Sequence, residues 1–197
     1  MKTTLFKIRG YLPLLTVRTA VKLLEDYSGR IIDVGCGKGA LIREIRDLND
    51  KSILGIDIRL SQAADAKAEG MPVVIGDIIH TPFRRGAFDI AVCLNTIYNF
   101  PSLQEFTPVF KEIASITKES GKIMIDIRNK ANPLIRIKTW IHNRRRGFPA
   151  IPYVPEQVIA AMKAHDCKLV GCNAVGVDNR YLAWGYILVF EKENSNA

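Results

Sequence analysis

IIDVGCGKGALI, residues 31–42, sets an apolar run against three closely spaced glycines and returns at once to apolar residues. The run predicts a buried strand from Arg30 to Val34, and Gly35, Gly37 and Gly39 predict a tight turn into a helix over Gly39–Leu48. Residues without Cβ allow such a turn to approach a ligand closely, and the helix behind it would aim free N–H groups at that ligand. The letters GCGKGA, residues 35–40, also satisfy the dinucleotide fingerprint G-x-G-x-x-A, so the glycines alone leave the ligand undecided.

Further runs recur downstream at Ser52–Asp57, Pro72–Asp77, Ala87–Leu94 and Lys122–Ile127. Between them, Leu60–Glu69 and Leu103–Thr117 have helical character, the latter with Phe106, Val109, Phe110, Ile113 and Ile116 at helical spacing. Alternation of strand and helix predicts an α/β fold: a doubly wound, mostly parallel sheet with helices on both faces. Lys168–Val177 and Tyr186–Glu191 lie too close together for a helical crossover, which predicts an antiparallel hairpin at the sheet edge.

Three acids decide what the turn holds. Asp57 follows Gly35 by 22 residues and ends the second run, where a carboxylate can accept from ribose hydroxyls. Asp77 ends the third run, in position to accept from an amino group. Asp33 stands two residues before the first glycine, where a pyrophosphate would be repelled and a cationic ligand attracted.

Taken together, IIDVGCGKGALI, ILGIDIRL, VVIGDIIHTPF and FDIAVCLNTIYNF, in that order, resemble the signature segments of the class I S-adenosylmethionine-dependent methyltransferases. The resemblance spans about Arg30 to Ile127. It implies a Rossmann-like sheet of seven strands with the last reversed, and S-adenosylmethionine as cofactor with S-adenosylhomocysteine as product. Asp33 and the turn Gly35, Cys36, Gly37 and Gly39 would hold the methionine part, Asp57 the ribose, Asp77 with the backbone of Ile78 the adenine, and Leu94 with Asn95 the surroundings of the methyl group, with Ile58 a further cofactor contact. The segment LNTIYNF lacks the Asn/Asp-Pro-Pro-Tyr/Phe cluster expected of enzymes that methylate exocyclic amines of bases or glutamine amides. It also lacks the Asp expected of a ribose 2′-hydroxyl methyltransferase.

Composition bounds the rest. The chain has 197 residues, 48% hydrophobic and 24% charged, which suits one globular domain with a sizeable core. Its longest apolar runs fall short of the ~18 residues of a membrane span. We expect a cytoplasmic, single methyltransferase domain over 1–197, with an N-terminal helical segment at 1–29, a basic lid-like insertion at 128–155 and a frayed tail at 192–197. The four cysteines form no CxxC pair and no zinc-like pattern with the three histidines, and are read as buried thiols without a metal role.

The formal charge of +8 resides in one place: seven Lys or Arg and no acid lie between Ile127 and Pro155, against 21 bases and 20 acids elsewhere. On a helix, Leu134, Ile137 and Ile141 would share one face with Trp140 beside them. Three readings of this segment stand side by side: a lid over the pocket with solvated cations, recognition of an anionic acceptor through Arg128 or the Arg144–Arg146 cluster, or contact with nucleic acid or an acidic membrane surface. Tyr98, Asn99, Arg128, His142 and Arg144 are the candidate acceptor contacts, and no catalytic base is assigned. The leading expectation is methyl transfer to a small or lipid-like acceptor that carries negative charge. An RNA methyltransferase using residues 128–146, a nicotinamide-dependent oxidoreductase and a non-catalytic cofactor-binding module are the alternatives, and the oligomeric state is left open.

Overall fold

The computed structural model describes residues 2–45, 51–145 and 150–193, with side chains from residue 12 onward except that of residue 51. Arg146, the end of the expected Gly39–Leu48 helix and residues 194–197 of the expected tail therefore fall outside the described residues.

Seven strands form one sheet in the order β3-β2-β1-β4-β5-β7-β6. They are β1 (Gly29–Val34), β2 (Lys51–Asp57), β3 (Val73–Ile75), β4 (Phe88–Cys93), β5 (Thr117–Arg128), β6 (Cys167–Val175) and β7 (Gly185–Lys192). Neighbours pair in parallel except β7, which runs antiparallel to both β5 and β6. The expected terminal hairpin of β6 and β7 is therefore present, with β7 lying between β5 and β6 and β6 at the edge. Both faces of the sheet are covered, which is why β1 buries successive residues: Ile32 and Val34 join one core and Ile31 the other.

Helices α1 (Lys2–Leu24), α2 (Ala40–Ile45) and α3 (Leu60–Ala68) lie on one side, where Val17, Ala20, Leu24, Leu41 and Ala63 pack on the sheet. Helices α4 (Leu103–Ile116) and α6 (Pro155–Lys163) cover the other, through the five apolar residues read from the periodicity of α4 and through Val158 and Met162 of α6. Ser102 caps α4 by accepting from the Glu105 N–H at 3.2 Å. Among the described residues no helix is long and apolar enough to cross a membrane.

The basic segment is not a structureless loop. Asn132 accepts from the Leu134 and Ile135 N–H groups at 2.9 and 3.3 Å and so starts helix α5 (Pro133–Arg145). The chain then returns to the sheet, where Asn129 and Tyr153 form a parallel bridge.

Smaller departures have simple causes. Strand β3 stops at Ile75, short of Asp77, because the Asp77 carboxylate accepts from the Ile79 N–H at 2.9 Å and turns the chain. The expected fraying from residue 192 does not begin there: Lys192 closes β7 and the Glu193 N–H donates to the Asp166 carbonyl at 2.7 Å. Cys36, Cys93 and Cys167 are buried, whereas Cys172 on the edge strand is exposed.

Candidate active site

In this strand order the chain leaves β1 in one direction toward β2 and β3 and returns on the other side at β4. That reversal opens a crevice at the carboxyl ends of β1 and β4. A cleft of about 560 Å³ occupies it, within the usual range for small-molecule sites. Asp33, Gly35, Cys36, Gly37, Asp57, Ile58, Asp77, Ile78, Leu94 and Asn95 all line it. Gly39 does not, and belongs to the turn behind the wall.

The glycine turn serves the chain's own packing as well as bordering the cleft. Gly35, Gly37 and Gly39 have φ of 79°, 53° and 72°, a region costly for other residues. A Cβ on Gly35 would lie 2.5 Å from Thr96 Oγ1, so this glycine answers first to the chain's own packing. The N–H groups of the turn itself are spent inside the protein. Those of Gly35 and Cys36 donate to the Ile56 carbonyl at 2.8 and 3.1 Å, that of Gly39 to the Cys36 carbonyl at 2.9 Å, and that of Gly37 to Asp57 Oδ2 at 2.8 Å. A turn built to cradle pyrophosphate would keep such donors free.

Asp57 thus has two duties. Its Oδ1 accepts from the Arg59 N–H at 2.8 Å while Oδ2 holds Gly37, which pins the turn to the end of β2 and leaves the second lone pair of each oxygen for the cleft. Asp33 is in a different condition. It is buried, and burial first, then the nearby Asp57 carboxylate, pushes its pKa up to about 7. A buried carboxylate of this kind calls for a cation in the cleft, and the sulfonium and ammonium of S-adenosylmethionine fit that demand.

Asn95 forms the hinge between this cleft and a second pocket. It sits at φ 57° just beyond β4, where its N–H donates to Asp126 Oδ1 at 2.5 Å and its carbonyl accepts from Asn99 Nδ2 at 3.0 Å. Its side-chain Oδ1 accepts from Arg128 Nη2 and, at 3.5 Å, from the Tyr98 hydroxyl. The Arg128 guanidinium also donates to Thr16 Oγ1 of α1 at 3.2 Å and lies 4.9 Å from the centre of the Tyr98 ring. Asp126 is buried with Oδ2 3.9 Å from Arg128 Nη1, and burial holds its carboxyl above the ordinary range. Asp126, Thr16 and Thr96 were missed in the sequence; only Asp126, an acid at the end of a strand like Asp33 and Asp57, carried a signal that could have found it.

The second pocket, about 180 Å³, lies between α1 and α5 and is lined by Leu12, Tyr98, Asn99, Arg128, Ile135 and His142 among others. Tyr98 and Asn99 also line the larger cleft, so the two spaces share a wall. Four of the five candidate acceptor contacts therefore meet in one place. Arg144 does not: it is exposed, stacks 4.2 Å from the centre of the Trp140 ring and lines neither cavity. The expected grouping of Leu134, Ile137 and Ile141 with Trp140 on one helix face is present, and that face points outward. Ile135 is the buried residue of α5, while Leu134, Ile137, Trp140 and Ile141 are exposed.

Comparison with known proteins agrees with this geometry. Residues 32–125 match a family model described as a methyltransferase domain. The sterol 24-C-methyltransferase of Schizosaccharomyces pombe is 30% identical over 173 residues, covering 81% of this chain and 45% of that protein. The tRNA (carboxymethyluridine(34)-5-O)-methyltransferase of Xenopus tropicalis is 25% identical over 117 residues, 55% of this chain and 18% of that one. The chain thus spans less than half the length of either relative. In fold it is similar to the magnesium protoporphyrin IX methyltransferase of Synechocystis PCC 6803 with bound S-adenosylhomocysteine, at a TM-score of 0.73, 16% identity, and coverage of 91% of this chain and 83% of that one. Signature segments, sheet order and family match coincide, and the chain belongs to the class I S-adenosylmethionine-dependent methyltransferases.

Proposed function

We propose that this protein transfers a methyl group from S-adenosylmethionine to a small or lipid-like acceptor bearing a negative charge. The observation that carries the reading is the shared wall of Tyr98 and Asn99, with an acid-lined cleft on one side and a pocket holding Arg128 and His142 on the other.

When bound, S-adenosylmethionine supplies a methyl carbon already activated by its sulfonium. The protein's part is placement. Asp33 would face the ligand's positive charges, Asp57 would accept from the ribose hydroxyls with its free lone pairs, and Asp77 with Ile78 would border the adenine. Leu94 and Asn95 would bound the reacting end. Alignment and exclusion of water supply much of the rate for a displacement of this kind.

On the acceptor side, Arg128 spends two donors on Thr16 and Asn95, and a guanidinium has five, which leaves donors for a carboxylate or phosphate. Burial raises the Tyr98 pKa, so its hydroxyl stays protonated at neutral pH and acts as a donor. A space of about 180 Å³ takes the reacting end of an acceptor and leaves a larger body outside. The basic helix and a relative that acts on tRNA support RNA as a second acceptor class.

Titration with S-adenosylhomocysteine and with NADH tests the cofactor, and a methyl-transfer screen against a metabolite and lipid extract with product masses tests the acceptor. We expect S-adenosylhomocysteine to bind and NADH not to, with a methylated acid among the products. Tight NADH binding alone would overturn the reading of the cleft, and methylation confined to RNA would overturn that of the acceptor.

A further inference from the structure

Helix α5 carries apolar residues on two opposite sides. Ile135 is buried and, with Thr139 and His142, faces the small pocket. Leu134, Ile137, Trp140 and Ile141 are 58%, 56%, 56% and 38% exposed, and at 100° per residue they span an arc of roughly 120° on the other side. Arg144 lies within that arc, stacked on Trp140, while Arg136 and Arg145 fall at its two margins. The loop after β6 adjoins the start of this helix, since Asn132 Nδ2 donates to the carbonyls of Leu182 and Ala183 at 3.2 and 3.0 Å. Tyr181 and Leu182 on that loop are 60% and 57% exposed.

Four large apolar side chains in a row on one helix face, rimmed by cations, call for a receiving phase. A second copy of this face would bring arginine against arginine, with no acid between Ile127 and Pro155 to answer them. A nucleic acid would engage the arginines and Trp140 but offers nothing to three aliphatic residues at the centre of the stripe. An anionic bilayer receives both sets: the aliphatic and indole groups enter the boundary between headgroup and acyl chain, and the guanidinium groups meet lipid phosphates. We propose that α5 is an interfacial helix that docks the protein, lying in the plane, onto a negatively charged lipid surface. Docking goes beyond the transfer chemistry and holds whichever acceptor is methylated.

The full chain is to be sedimented with phosphatidylcholine vesicles and with vesicles containing about one third phosphatidylglycerol. Expected is at least about tenfold stronger association with the anionic vesicles, weakened by salt, together with a blue shift of tryptophan emission that Trp140→Phe removes. The double variants Ile137→Ser with Trp140→Ser, and Arg144→Ser with Arg145→Ser, should each lose about tenfold or more in vesicle association while melting temperature and S-adenosylhomocysteine affinity stay unchanged. Equal association with both vesicle types, or association that survives the first double variant, overturns the proposal. So does an RNA oligomer that binds through the arginines with no loss in Ile137→Ser, or a dimer in solution that the first double variant dissolves. Binding of S-adenosylhomocysteine by the parent chain, read in the same samples, reports on the cleft independently, so failure of one reading is not mistaken for failure of the other.

Discussion

The larger cleft, proposed for the cofactor, and the smaller pocket, proposed for the acceptor, share Tyr98 and Asn99 and are built on opposite plans. The cleft is assembled at the ends of adjacent strands from a turn whose N–H groups are spent on Ile56, Cys36 and Asp57. The pocket is assembled from side chains of α1, β5, α5 and the turn after β4, and its Arg128 is held by a hydrogen bond to Thr16, 112 positions away. Local backbone geometry specifies the first, and side-chain networks across the fold specify the second. Damage to the cleft should therefore register in ligand affinity, and damage to the network in stability and acceptor use.

Removing Arg128 is the strongest way to break that contrast. Arg128→Met leaves Asn95 Oδ1 and Asp126 without their cationic neighbour, and should lower unfolding free energy by about 2–3 kcal/mol, the range for hydrogen bonds to buried charges. Denaturant unfolding measures this, with S-adenosylhomocysteine affinity expected to change by less than about threefold. A large loss of cofactor affinity at unchanged stability would show that the two regions are one. Asp57→Ala makes the complementary cut: cofactor affinity should fall by about 1–3 kcal/mol through lost acceptors and a loosened Gly37. Calorimetric affinity equal to the parent's would misplace the ribose.

A pH series sharpens the comparison with a smaller effect. Asp33 has a folded pKa of about 7, above its unfolded value, so its contribution to the stability of the free protein is present below about pH 4 and is lost as pH rises through about 7. A cationic ligand prefers the ionised form, so S-adenosylmethionine affinity should rise about tenfold between pH 5.5 and 7.5, and the rise should flatten in Asp33→Asn. A parent profile identical to that of Asp33→Asn would show that this carboxylate does not meet the ligand's charge.

The cleft was legible because each of its parts is local in sequence. Asp33 stands two residues from Gly35, and Asp57 ends its own strand, so alternation and strand-end chemistry sufficed to list them. The same reasoning could not show that Gly35 also answers to packing, because the atom that excludes a Cβ there belongs to Thr96, 61 positions on. On the basic segment, helical spacing correctly grouped Leu134, Ile137 and Ile141, yet could not say that Ile135 faces the protein. A helix with apolar residues on both sides has no preferred inner face until its neighbours exist. Arg144 was misplaced for the same reason: a run of arginines has no address before Trp140 claims one of them.

What the sequence determined by itself is the α/β alternation, the reversed last strand and the acids at the strand ends, because periodicity and turn chemistry act over a few residues. Tertiary structure alone decided that Thr16, Asn95, Asp126 and Arg128 form one network, that the pocket of Tyr98 and His142 adjoins the cleft, and that the apolar stripe of α5 faces outward. Those outcomes depend on which distant side chains satisfy one another's charges and hydrogen bonds once water is excluded, and a linear pattern carries no record of that pairing.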